Sequence, residues 1–166
     1  MKRWSGWKSI WGVAIVLMIT EVALFIFNYH TPANEFLGNL GWLILFAAAF
    51  LAVIPVFTFR KKGGVPEEES YINTTVIVDT GIYAVIRHPQ YLSFILICLG
   101  IIIVAQKWLI TTIGIPAAIL IYIAIWQQDY FLIGKFGEDY KRYMEKVPRV
   151  NFLLGIIRLM QRRKKE

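Results

Sequence analysis

The chain alternates long apolar runs with short polar segments. The runs from Ile10 to Asn28 and from Gly38 to Phe59 each hold the roughly 20 mostly apolar residues that an α-helix needs to cross a bilayer. Two further runs, residues 89–105 and 108–126, are separated by only two residues. The pattern predicts four transmembrane helices, of which the third and fourth form a tight helical hairpin.

Composition supports a membrane protein built as one domain. Hydrophobic residues make up 57% of the 166 residues and charged residues only 17%, which is more apolar than a soluble domain of this size. We therefore expect an all-α integral membrane helical bundle over residues 1–166. With a single cysteine, Cys98, and two histidines, the sequence offers neither an intrachain disulfide nor a zinc cluster, and we predict no metal.

The distribution of basic residues predicts the topology. Lys and Arg cluster before the first run, between residues 60 and 87, and after residue 126, whereas the loop from residue 29 to 37 has none. Under the positive-inside rule, both termini are cytoplasmic and the protein is multi-pass. The net charge of +7 does not indicate nucleic acid, because the basic residues flank apolar runs and not stacking aromatics. Their placement favours anionic membrane lipids as partners.

Glu21 is the one acidic residue well inside a predicted span. An ionisable group in a membrane is by default a hypothesis of function. The structural alternative is a protonated or hydrogen-bonded Glu21, with Thr20 or a facing helix as its partner. The sequence leaves both interpretations open.

The segment before the third run carries an Arg-His-Pro triplet. Residues 74–78, TTVIV, are β-branched and favour an extended chain. Pro89 suits the first turn of a helix, so Arg87 and His88 come at a helix N-terminus and form a positive pocket for a carboxylate or phosphate. We expect His88 at the interface and not in a packed core. The alternative is that Arg87 extends to lipid phosphate.

After the fourth run, aromatic residues recur at helical spacings. Phe131, Phe136, Tyr140 and Tyr143 alternate with charges, which predicts a cytoplasmic helical segment over residues 127–149. Residues 150–166 have an apolar start and a basic end. They are predicted to form an interfacial tail on the membrane surface.

The two cytoplasmic segments together resemble a known family. TGIYAVIRHPQY, followed after one hydrophobic hairpin by QDYFLIGKFGEDYKRYMEKVPR, is similar to the isoprenylcysteine carboxyl methyltransferases and the related phospholipid methyltransferases. The family pattern is Gly-x-Tyr-x-x-x-Arg-His-Pro-x-Tyr and then Glu-Glu-x-x-Leu-x-x-x-Phe-Gly-x-x-Tyr-x-x-Tyr, and the resemblance covers residues 74–150. It implies methyl transfer from S-adenosylmethionine to a lipophilic or prenylated acceptor, with the active site on the cytoplasmic side.

The resemblance also implies a cofactor site built from segments 74–91 and 127–149. It assigns no catalytic residue. Carried over by position, the cofactor contacts are Thr75, Val76, Ile77, Val78, Tyr83, Arg87, His88, Pro89, Gln90, Tyr91 and Gln128.

Two positions depart from the family pattern. The acidic pair is replaced by residues 127–129, Gln-Gln-Asp, and we place Gln128 where the family has a cofactor-binding Glu. Asp129 would then point about 100° away around the helix. Ala124 occupies the position of a substrate-binding Arg in eukaryotic members. A prenylated-cysteine carboxylate therefore does not follow directly as the substrate.

These features favour a carboxylate acceptor, since that nucleophile needs no base. An amine must first lose a proton, and His88 is the only base near the predicted site. The alternatives are a phospholipid amine N-methyltransferase, a non-catalytic membrane protein of similar fold, and a reductase-like protein that uses a nicotinamide cofactor.

Overall fold

A computed structural model describes residues 5–28, 32–70 and 72–164, with residues 5–9 described by their backbone alone. The described residues form α-helices and no β-strand, which confirms the predicted all-α fold. The helices are α1 (Ser5–Asn28), α2 (Glu35–Lys62), α3 (Pro89–Ala105), α4 (Trp108–Phe136), α5 (Glu138–Lys146) and α6 (Phe152–Arg163), with a 3-10 helix at Gly81–Ala84.

Three of these helices are long and apolar enough to cross a membrane. The qualifying segments are Ile10–Asn28 in α1, all of α2 and all of α4. Helix α3 is equally apolar in character but has 17 residues, and it begins at Pro89 as predicted. The length and composition of the three longer helices are those of a multi-pass membrane protein.

Helix α4 continues past the predicted end of its span. It runs through Gly134 and ends at Phe136, just before Gly137, whose φ of 60° is a conformation that glycine adopts without steric cost. Helix α5 starts at once, with Glu138 and Asp139 in its first turn, where carboxylates interact favourably with the helix dipole. The predicted helical segment over residues 127–149 is thus the end of one helix plus a second short one.

The chain divides into two compact units. The first unit comprises residues 1–50 and 91–127, and the second comprises residues 51–90 and 128–166. In the first unit, α2 and α3 approach closely at Gly41, where a Cβ atom would lie 2.8 Å from the backbone nitrogen of Val104. Small residues allow this close contact between apolar helices. The buried side chains Ala14, Cys98, Ala117, Ala118 and Ile121 form a core.

Glu21 lies in this first unit and is fully buried. Its carboxyl group fills the space that Gly114 of α4 leaves by having no side chain, so a Cβ at residue 114 would collide with it. The Thr20 hydroxyl donates instead to the carbonyl of Val16. Of the two partners that the sequence left open, Thr20 is bonded elsewhere, and the Glu21 carboxyl group packs against the facing helix α4.

The second unit contains the two segments of the family motif except for their residues 91 and 127, which belong to the first unit. Tyr140, Tyr143 and Val147 of its α5 region form a buried cluster. Residues 74–78 are neither helix nor strand, as expected for an extended segment. The loop is fastened where the Thr75 amide donates to the carbonyl of Gly63 over 2.8 Å. This places residues 74–78 beside the end of α2.

Candidate functional site

Backbone hydrogen bonds join the two motif segments in the second unit. The amides of Arg87 and His88 donate to the carbonyls of Pro148 and Arg149, each over 3.0 Å. Since Pro89 starts α3 directly afterwards, the chain at residues 87 and 88 is constrained on both sides. Both side chains consequently have defined positions.

Asp129 is the acceptor at the centre of a buried polar cluster. Its Oδ1 accepts hydrogen bonds from Arg87 (3.1 Å), His88 Nε2 (2.8 Å) and the Tyr140 hydroxyl (2.9 Å). Its Oδ2 accepts from Nε of Arg149 over 2.7 Å. Asp129 and Arg87 are 2% and 8% exposed. Two guanidinium groups and one carboxylate leave the cluster with one net positive charge.

The protonation states in this cluster follow from burial. Burial lowers the pKa of His88, and the charges of Arg87 and Arg149 lower it as well. The hydrogen bond to Asp129 acts in the opposite direction. A neutral imidazole must carry its proton on Nε2 to donate to Asp129. Burial and the nearby Asp129 charge raise the pKa of Tyr140, so its hydroxyl keeps the proton it donates.

Two expectations about this region were wrong, and the alternative left open for Arg87 is not observed. Asp129 does not face away, because it is buried and contacts four side chains of the motif segments. His88 is 5% exposed and lies in a packed environment, not at an exposed interface. Arg87 pairs with Asp129 and does not extend to lipid phosphate. The positive pocket does receive a carboxylate, but the protein itself supplies it.

The sequence held a signal for Asp129 that an interpretation centred on Gln128 missed. In the family pattern the second Glu comes three residues before the Leu. Counting back from Leu132, that second Glu falls on Asp129. One acidic side chain of the pair is therefore conserved in charge, and Gln128 replaces only the first.

Two cavities open beside this cluster, and both motif segments line them. The smaller has a volume of about 50 Å³, and its lining includes Arg87 and the aromatic residues Phe59, Tyr83, Phe136, Tyr140 and Tyr143. The larger has a volume of about 440 Å³. Val76, Ile77, Phe136 and Tyr143 line both.

The predicted cofactor contacts divide into two groups. Those that line one or both cavities are Thr75, Val76, Ile77, Val78, Tyr83 and Arg87. Those that line neither are His88, Pro89, Gln90, Tyr91 and Gln128. Tyr91 packs in the first unit against Trp11, with 5.0 Å between ring centroids.

The larger cavity has charges of both signs in its wall. Arg142, Lys146 and Arg162 supply positive groups, and Asp79 and Asp139 supply carboxylates. These charged residues, which include basic residues of α5 and α6, were not among the predicted site residues. Side chains of both signs beside aromatic walls suit a zwitterionic ligand with a flat ring.

The apolar helices identify this chain as a multi-pass membrane protein. The larger cavity is lined mainly by residues outside those apolar helices. The sequence model of the phospholipid methyltransferase family matches residues 39–139, which is more than half of the chain. The chain belongs to this family, and the predicted resemblance is confirmed.

A protein-S-isoprenylcysteine O-methyltransferase of Schizosaccharomyces pombe is 28% identical over 81 residues. That match covers 44% of this chain and 31% of the relative, so the chain spans about a third of the relative's length. No solved structure matches this chain.

Proposed function

We propose that this protein transfers a methyl group from S-adenosylmethionine to a lipophilic carboxylate at the cytoplasmic face of a membrane that it crosses four times. One observation carries the proposal: residues of segments 74–91 and 127–149, which are far apart in sequence, line the same cavities. Family membership supplies the reaction class, and the cavities supply a place for it.

The residues lining the larger cavity fit S-adenosylmethionine. The cofactor supplies a methyl group on a sulfonium sulfur, together with an adenine ring and a methionine carboxylate and ammonium. Phe136 and Tyr143 offer aromatic faces to the ring. In this proposal Asp79 accepts from the ammonium and Lys146 holds the carboxylate, whereas Asp139 and Arg142 are bonded to each other in the structure.

Asp129 and its partners have a supporting role in this proposal. Arg87 and His88 already share the Asp129 carboxylate, so they position the chain around Tyr83 and the cavity wall and do not bind the methionine carboxylate. Gln128 remains a proposed cofactor contact. Its support is its position next to Asp129 in α4.

The protonation states favour a carboxylate acceptor. A carboxylate attacks without losing a proton, and the site then needs only to align it with the methyl group and the sulfur. His88 is buried and bonded to Asp129, and burial raises the pKa of Tyr143. Neither side chain is suited to removing a proton from an amine in the cavities. A phospholipid amine is the second candidate acceptor, because the matching family is that of the phospholipid methyltransferases.

Cofactor binding tests the proposal directly. The purified protein in lipid nanodiscs is titrated with S-adenosylmethionine and, separately, with NADPH. We expect Val76→Trp, which fills the wall shared by both cavities, to weaken S-adenosylmethionine binding by roughly tenfold or more, or about 1.4 kcal/mol. Ile72→Trp is the matched control, since Ile72 is similarly exposed and lines neither cavity. Binding of NADPH alone would favour a reductase, and binding of neither would favour a non-catalytic protein.

The acceptor is identified by the stability of the product. With S-adenosylmethionine labelled in its methyl group, a lipid carboxylate yields an ester whose label is released by alkali. An N-methylated lipid amine keeps the label under the same treatment. Alkali-stable label on the amine of phosphatidylethanolamine would show that the acceptor is an amine and not a carboxylate.

A further inference from the structure

Helix α6 presents its apolar side chains outward. Leu153, Ile157 and Met160 follow an i, i+4, i+7 spacing, so they lie on one face of the helix, and they are 74%, 52% and 58% exposed. An amphipathic helix on a soluble domain turns such a face to the core. The exposure of this face indicates that α6 borders an apolar environment.

The opposite face of α6 is fastened to the protein. Gly155 is buried against the carbonyl of Val85, so closely that a Cβ atom would collide with it. Arg162 donates to the carbonyl of Ala84 over 2.8 Å, and Arg158 donates to the carbonyl of Glu145 over 3.2 Å. These contacts set the rotation of α6 and hold the apolar face outward.

The charge of α6 identifies the environment. Residues 152–164 include four basic side chains and no acidic one. Arg163 and Lys164, at the end of the helix, are exposed. Basic residues beside an apolar helical face are the pattern of helices that lie in the surface of a membrane with anionic lipids.

We propose that α6 docks on the membrane surface, with Leu153, Ile157 and Met160 among the lipid chains and Arg163 and Lys164 at anionic headgroups. A second copy of the chain fits less well, because stable protein interfaces take roughly 20–30 residues from each partner and the whole of α6 offers five exposed large apolar side chains. Because the protein spans a bilayer, the acyl chains of that bilayer can contact the apolar face of α6. The proposal does not depend on the methyltransferase activity.

Depth-dependent fluorescence quenching tests this proposal on the full chain. In a Cys98→Ala background, Ile157→Cys is labelled with an environment-sensitive fluorophore and placed in nanodiscs that carry brominated acyl chains. The matched control is Glu138→Cys on α5, whose side chain is 76% exposed. We expect strong quenching at position 157, none at position 138, and stronger quenching at position 157 when phosphatidylserine is added.

Two further variants make the result decisive. Leu153→Cys repeats the measurement on the same face in case Ile157→Cys does not fold. Arg163→Gln combined with Lys164→Gln should remove the added effect of phosphatidylserine at position 157. Equal quenching at positions 157 and 138 would overturn the proposal. Excimer formation between labels at position 157, without quenching by lipid, would overturn it in favour of a second copy.

Discussion

Asp129 contacts side chains of both motif segments, residues 74–91 and 127–149, which are far apart in the sequence. It accepts hydrogen bonds from Arg87, His88, Tyr140 and Arg149. A buried carboxylate with two guanidinium partners is stable only while the charges remain together, since each would be costly to bury alone. We therefore expect the Asp129 side chain to stabilise the second unit whether or not it takes part in a reaction.

Asp129→Asn should destabilise the protein by about 3–5 kcal/mol, the usual cost of breaking a buried ion pair, because both arginines then lose their counter-charge. Unfolding in detergent micelles, followed by circular dichroism, measures the change. Asp139→Asn is the control, since its partner Arg142 is exposed, and such pairs contribute about 0–1 kcal/mol. A similar small loss in both variants would mean that the cluster is not energetically coupled.

The protonation of His88 predicts a dependence of stability on pH. Histidine in an unfolded chain has a pKa near 6.5, and burial lowers the pKa of His88 in the folded protein. Between these two pKa values the unfolded state binds more protons, so this contribution is complete above about pH 6.5 and is lost as the pH falls through the folded pKa.

The free energy of unfolding should accordingly fall between about pH 7 and pH 5.5, by at most about 1.4 kcal/mol per pH unit from this residue. His88→Gln keeps a hydrogen-bond donor but does not titrate, and it should show a shallower slope. Unfolding at several pH values compares the two proteins. Identical slopes would assign the pH dependence to other groups.

Helices in the second unit are positioned by glycines as much as by side chains. Gly137 allows α4 to end and α5 to begin with no intervening loop. Gly155 allows α6 to approach the backbone of Val85, next to the 3-10 helix that carries Tyr83. At residue 155, α6 therefore lies too close to the backbone of Val85 for any side chain to fit.

Gly155→Ala should destabilise the second unit by about 1–3 kcal/mol, because the added methyl group meets a backbone carbonyl that cannot rotate away. Gly134→Ala is the matched control in α4. A Cβ atom there has nothing within 4 Å, and the change should add up to about 1 kcal/mol of stability through helix propensity. Thermal unfolding of the two variants should shift in opposite directions. A shift in the same direction would contradict the contact at Val85.

At the scale of the whole molecule, the apolar helices and the distribution of basic residues govern the arrangement in the membrane. Three helices qualify as spans by length and composition, and α3 is a shorter apolar helix beside them. The loop before α2 lacks Lys and Arg in the sequence, whereas residues 60–62 are all basic. The positive-inside rule predicts that residues 60–90 lie on the cytoplasmic side.

Cysteine labelling in sealed vesicles of known orientation measures this topology. In the Cys98→Ala background, Ala33→Cys should react with an impermeant maleimide from the outer side. Glu69→Cys should react only from the cytoplasmic side. Both positions are exposed, so accessibility does not favour either. The reverse pattern would place the motif segments away from the cytoplasmic supply of S-adenosylmethionine and would count against the proposed function.

The sequence by itself determined the helices and the family. Hydrophobic runs of sufficient length form helices whatever their neighbours are, since a bilayer requires every backbone group to be bonded within the segment. Pro89 likewise specified where α3 begins, because its fixed φ suits a first helical turn. The order and spacing of the two motif segments identified the family.

Only the tertiary structure decided which side chains of those segments meet. Residues 128 and 129 differ by about 100° around α4, and the packing of α4 in the second unit is what turns Asp129 toward Arg87 and His88. The outward rotation of α6 is likewise set by Gly155 and Arg162 against the backbone at residues 84 and 85. Hydrophobic periodicity specifies that a helix has an apolar face, but the contacts on its other face decide where that apolar face points.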